Sequence, residues 1–93
     1  MIRRRIRLGS VEEVLEFIKK TERLDARIHL VDNYSDIDGK SLLGVLSMSL
    51  GQKHTIEIRG NEISESHAEL VLDKYMVSFE DDFDDEMELE TVI

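Results

Sequence analysis

Two hydrophobic periods alternate along the chain. Ile2, Arg4, Ile6 and Leu8 fall on one side of an extended segment, and Arg3, Arg5 and Arg7 fall on the other. Period two with one mostly apolar side predicts a half-buried strand, with Arg4 at its rim. The period then changes to that of a helix. Val11, Val14, Leu15 and Ile18 recur at helical spacing and Phe17 widens the stripe, while Glu12, Glu16, Lys19, Lys20 and Arg23 face outward. Ser10 and Glu13 have the S-x-x-E spacing of a capping box. The helix therefore starts directly after Gly9 and is expected to stop between Glu22 and Leu24.

Alternation returns over Arg27–Val31 and again over residues 54–59, with Ile56 and Ile58 inward. Residues 32–35 are turn material, and a short strand anchored by Ile37 follows them. Ser41 is a good N-cap for a short helix, and Gly51 can take the left-handed conformation that ends one. Nearly every residue between the two is apolar or small. That is more apolar surface than one core-facing stripe requires, so the helix is either buried on two sides or offers a patch to a partner. Ser64 is expected to cap a long last helix whose stripe is Ala68, Val71, Leu72, Tyr75, Met76 and Phe79.

The element order is thus β-α-β-β-α-β-α. The spacing is not that of repeated parallel crossovers, so the predicted class is α+β: one sheet of four strands with three helices on one face and water on the other. The wet face is expected to carry Arg3, Arg5, Arg7, Arg27, His29, Glu57 and Arg59.

Charge adds a boundary. The net charge is -9, yet residues 80–93 hold eight acids and no base, which leaves 13 acids against 12 bases before them. Residues 1–79 read as one domain and residues 80–93 as an acidic, self-repelling, flexible tail. A nearly neutral domain lacks the positive excess that displaces counterions from phosphates, so no nucleic-acid partner is expected. The absence of cysteine excludes disulfides and thiolate metal sites. The lack of cysteine suits the cytosol, so the chain reads as cytoplasmic, and no apolar run reaches membrane-spanning length. His29, His54 and His67 have no metal-motif spacing and read as surface residues, and neither a metal nor any other cofactor is expected.

The segment GKSLLGVLSMSLGQ, followed by HTIEIRG, resembles the centre of the histidine-containing phosphocarrier protein (HPr) of the bacterial sugar phosphotransferase system. That family reads K-S-[IL]-[ML]-G-[VL]-[ML]-[ST]-L and then a strand. The resemblance is specific over residues 39–60. It implies an open-faced β-sandwich with antiparallel strands, and a carrier rather than an enzyme. It also implies a phosphoryl-accepting histidine between the first strand and the first helix, in a segment like G-[LI]-H-[AT]-R-P. Here Leu8 is followed by Gly9, Ser10 and the helix, with no histidine, arginine or proline. Ser41 matches the serine that a dedicated kinase phosphorylates in the Gram-positive branch, after which the protein binds a transcriptional regulator. Lys40 lies beside it, and Leu42, Leu43 and Leu46 match the family's partner-facing apolar patch. The expected function is a non-catalytic regulatory module with a protein partner, switched at Ser41. The alternatives are a carrier with a displaced acceptor, His54 or His67, and an adaptor with an unrelated partner.

Overall fold

The computed structural model describes residues 1–78 of the chain. Phe79 and the acidic segment 80–93 lie outside the described residues. The elements are β1 (Ile2–Arg7), α1 (Val11–Thr21), β2 (Arg27–Val31), β3 (Asp36–Asp38), α2 (Leu42–Leu46), β4 (Lys53–Arg59), α3 (Glu62–Val71), a single 3-10 turn (Asp73–Tyr75) and β5 (Met76–Val77). The sheet runs β3-β2-β4-β1-β5, with every neighbouring pair antiparallel. Helices cover one face. Between them and the sheet lie Ile6, Leu8, Val14, Phe17, Ile18, Ile28, Leu30, Val45, Ile56, Ile58, Ala68, Leu72 and Tyr75, all buried.

Helix α1 follows its capping box. The Ser10 Oγ accepts the Glu13 N–H at 3.1 Å, and the Glu13 carboxylate accepts the Gly9 N–H at 3.2 Å. The buried stripe, however, is Val14, Phe17, Ile18 and Thr21, and the expected inward residues Val11 and Leu15 are exposed. The stripe is centred on Phe17 because its ring meets Tyr75 edge-on, with centroids 5.4 Å apart. Arg4, the polar intruder on the inner side of β1, reaches the rim and pairs with Glu69 of α3 at 2.6 Å.

The last helix is shorter than its apolar stripe suggested. Its N-cap is Asn61 rather than Ser64; the Asn61 side chain accepts the Ser64 N–H at 2.8 Å. The helix ends at Val71, and Leu72 and Tyr75 are buried from the turn beyond it. Met76 and Val77 then run extended beside β1, opposite Ile6 and Arg5, and add a fifth strand. A run of apolar residues spaced for a helix is met equally well by a helix, a tight turn and a strand that press on one core.

Glu16 ties the ends together. Its Oε1 accepts the Tyr75 hydroxyl at 2.6 Å, the Lys74 ammonium, and the Lys20 ammonium at 3.5 Å. Hydrogen bonds from Lys74 and Tyr75 hold the Glu16 carboxyl at about 2, well below its ordinary 4.5. Burial and the Glu16 carboxylate push the Tyr75 phenol upward.

Gly39 is buried at the mouth of the β3–α2 connection. Its N–H donates to the Ile28 carbonyl at 2.7 Å, and its carbonyl accepts the buried Thr21 hydroxyl at 2.8 Å. A Cβ here would lie 2.5 Å from Ile28 Cγ2. The backbone comes this close because there is no side chain in the way.

Two outcomes follow from these contacts. Gly39→Ala is expected to destabilise the domain by about 1–3 kcal/mol, as overpacking does, read as a lower urea midpoint at constant slope. A midpoint equal to wild type would show that Ile28 yields freely. Glu16, whose folded value is depressed, supports folding fully above about pH 4.5, and that support is lost as the pH falls toward about 2. Unfolding curves across that window should therefore weaken with acid, and less so in Glu16→Gln. Equal acid sensitivity in the variant would assign the loss to other depressed carboxylates, such as Glu57 and Glu65.

Candidate functional site

Two places carry the candidate chemistry: the start of α1 and the short helix α2. Only residues 8–10 separate β1 from α1. The Gly51 N–H donates to the Leu8 carbonyl at 2.8 Å, so the turn before β4 clasps this connection. Gly51 is at φ 81°, the left-handed region that favours glycine. It serves this turn and does not end α2, whose C-cap is Ser47. At the start of α1 the Glu13 N–H is taken by Ser10 and the Gly9 N–H by Glu13, and Glu12 and Glu13 place negative charge in the first turn. A phosphoryl group brought there would meet like charge.

The histidines lie elsewhere. His29 on β2 pairs its Nδ1 with the Asp36 carboxylate of β3 at 2.8 Å. His54 on β4 stands opposite Ile6, and its Nε2 lies 2.9 Å from the Ser49 carbonyl. His67 is exposed on α3, in a cleft shared with Arg23, Asp25 and Asn61. Among the described residues no group of three His, Asp or Glu could hold a metal ion. No helix among them is long and apolar enough to cross a membrane.

Helix α2 brings the sequence candidates together. The Ser41 Oγ accepts the Gly44 N–H at 3.2 Å and caps the helix, while the Ser41 N–H donates to the Asp38 carbonyl at 3.0 Å. Ser41 is half-buried. Lys40 is adjacent, with its ammonium on the Leu24 carbonyl at 2.6 Å. Of the four apolar residues in the helix, only Val45 is buried. Leu43 is 82% exposed, and Leu42 and Leu46 are each 37% exposed. Leu50, which sequence reasoning did not single out, is 41% exposed just beyond the helix. Its signal was the same apolar excess before Gly51.

On the opposite face Glu57 departs from its expected exposure. It is 5% exposed, covered by Arg3 and Arg59, whose guanidinium Nη2 atoms each lie 2.6 Å from one of its oxygens. Arg3 first, then Arg59, lowers the Glu57 carboxyl below its usual range. Alternation assigned the face correctly, but it cannot register that long cationic side chains fold over a shorter acid.

These features match known proteins. The family model described as "PTS HPr component phosphorylation site" matches residues 14–76. The match begins inside α1, after the connection that lacks the histidine. Among solved structures, HPr from Bacillus anthracis is similar at 19% identity and TM-score 0.65, over 82% of this chain and 96% of that one. HPr-C-His from Thermoanaerobacter tengcongensis is similar at 19% identity and TM-score 0.61, over 77% and 90%. The Bacillus subtilis catabolite repression protein Crh, a domain-swapped dimer, is similar at 12% identity and TM-score 0.56, over 78% and 88%. No curated protein matches. Sheet order, helix placement and a match over most of the length converge: the chain belongs to the HPr family of the phosphotransferase system.

Proposed function

We propose that this chain is a regulatory, protein-binding member of the family that carries no phosphoryl group on histidine. The observation that supports this reading best is a pairing. The start of α1 holds no histidine and carries the Glu12 and Glu13 carboxylates, while Leu42, Leu43 and Leu46 stand exposed on α2. Reaction chemistry has no acceptor at the first place, and a docking partner has an apolar surface at the second. Burying Leu43 in an interface gains about 1.5–3 kcal/mol, and Leu42 and Leu46, each 37% exposed, add about a third of that each. The partner is a protein: a serine kinase, and a transcriptional regulator or another component of the sugar system. The site of action is the cytoplasm, as for the family.

Ser41 is the proposed switch. Its oxygen already faces the Gly44 N–H, and the first turn of α2 holds no acid. A phosphate there would add nearly two negative charges and three acceptor oxygens beside the leucines, with the Lys40 charge next to it. The modification thus turns an apolar patch into an apolar patch with a charged border, which a partner distinguishes. The similarity to Crh, named for catabolite repression, supports the regulatory reading.

Incubation with a family serine kinase is expected to add one phosphate by intact mass, and Ser41→Ala is expected to remove it at a cost of about 1 kcal/mol of capping. No mass change in the wild type would leave α2 as an unswitched docking surface. With the phosphoenolpyruvate-dependent first enzyme of the system, no acid-labile phosphate is expected. A label that disappears in His54→Gln or His67→Gln would replace this reading with that of a carrier. Leu43→Asp is expected to leave stability within about 0.5 kcal/mol of wild type, as exposed changes do. Its affinity for the serine kinase should fall at least about tenfold, equal to 1.4 kcal/mol. Unchanged affinity would move the docking surface off α2.

A further inference from the structure

The sheet ends at β3, and among the described residues no strand lies on its outer side. The ladder with β2 decides which backbone groups face out. The Gly39 N–H donates to the Ile28 carbonyl at 2.7 Å, and the Asp32 N–H donates to the Ser35 carbonyl at 3.0 Å. Hydrogen-bonded pairs alternate along an antiparallel ladder. Ile37, opposite Leu30, therefore bonds inward, and Asp36 and Asp38 turn their backbone groups outward. The Asp38 carbonyl is taken by the Ser41 N–H at 3.0 Å. The N–H and carbonyl of Asp36 and the N–H of Asp38 are left without a ladder partner among the described residues.

The side chains of this edge are charged in one sense. Residues 32–39 hold three acids and no Lys or Arg. Asp36 and Asp38 are exposed on the wet face beside His29, while Ile37 is half-buried on the helical face against Gly44. Asp32 accepts from the Tyr34 and Ser35 N–H groups and the Ser35 hydroxyl, and Asp38 accepts from the Lys40 N–H. These donors are uncharged, so they leave both negative charges in place. The His29 Nδ1, 2.8 Å from Asp36, offsets that charge only when the ring is protonated. Tyr34, 98% exposed at the tip of the same hairpin, holds its ring open to a cation.

We propose that the outer edge of β3 receives an extended segment of a partner protein in which basic residues alternate with apolar ones. Strand addition supplies main-chain hydrogen bonds at Asp36 and Asp38. The period of two then sets the partner's Lys or Arg side chains beside the two carboxylates and its apolar side chains beside Ile37. Charge selects the occupant. A second copy paired edge to edge would set Asp36 and Asp38 against the same acids, which like charges on facing strands oppose. Residues 80–93, with eight acids and no base, are repelled in the same way. The inference rests neither on the docking role of α2 nor on modification of Ser41.

The probe is a short capped peptide of alternating lysine and valine, added at millimolar concentration to the full-length protein. Exchange of amide hydrogens with solvent is followed residue by residue. The Asp36 and Asp38 amides are expected to exchange several-fold more slowly with the peptide present, and those of α1 and α3 to stay unchanged. The same peptide with glutamate for lysine, or with its backbone N-methylated, is expected to have no effect. The full-length variant carrying Asp36→Asn and Asp38→Asn keeps the acceptor oxygens and should keep its urea midpoint, while its affinity for the lysine peptide falls at least about fivefold. No slowing at the two amides, equal slowing with either control peptide, or unchanged affinity in the double variant would overturn the proposal. So would peptide contacts confined to residues 80–93, where lysine meets acids without adding a strand.

Discussion

The close approach of Gly39 to Ile28 places the surface on which the functional reading rests. Helix α2 has five residues, far too few to be stable by itself, so its orientation must come from what holds its entrance. That entrance is held on three sides. The Gly39 N–H meets the β2 backbone, its carbonyl takes the Thr21 hydroxyl at the end of α1, and the Lys40 ammonium reaches the Leu24 carbonyl. Ser41 begins the helix in a position already fixed to both layers. Val45 is then the residue that turns inward, and the leucines on either side of it are left in solvent. Their exposure is a consequence of the clamp, since with a different entrance angle one of them would replace Val45 against the core.

Most of this was legible in the sequence where a side chain acts on its own neighbourhood. The capping box of α1 needs only Ser10 and Glu13, and the structure uses both as expected. Arg27–Val31 is a strand of the expected length because its alternation is uninterrupted. The excess of leucines around Ser41 exceeded what one stripe could bury, and the excess is what stands exposed. The part that could not be read depends on residues far apart in the chain. Phe17 dominates α1 because of Tyr75, and Val11 and Leu15 are left outside for the same reason. The fifth strand exists because β1 has a free edge for Met76 and Val77, and no local pattern distinguishes that pairing from another helical turn. The depth of Glu57 is set by Arg3 on one strand and Arg59 on its own. Gly39 is necessary because of the Ile28 methyl group on the neighbouring strand, which no local pattern reveals.

The two faces of the molecule divide its charge and its grease. Apolar surplus lies on the helical side at α2, and ionic surplus lies on the open side of the sheet. An antiparallel sheet with one dry face permits this division, because alternate residues of the same strand serve opposite surroundings. Ile6 and Ile56 are buried beneath helices while Arg5 and Glu57 stand among charges one residue away. Apolar contact and ionic contact therefore draw on separate areas of the surface.

The electrostatics at the start of α1 weigh against a phosphate there. A helix start attracts an anion when its N–H groups are unmet and its dipole is uncompensated. Here the Ser10 hydroxyl meets the Glu13 N–H, and the Glu13 carboxylate both meets the Gly9 N–H and supplies the negative charge the dipole favours. A phosphoryl group would have to displace that carboxylate or sit beside it. At about 4 Å each pair of like charges costs about 1 kcal/mol even in water, and more near a protein surface. The same capping box that makes α1 stable thus sets a carboxylate at the helix start. What the capping box adds to the stability of the first helix it takes from the affinity for a phosphate at its start.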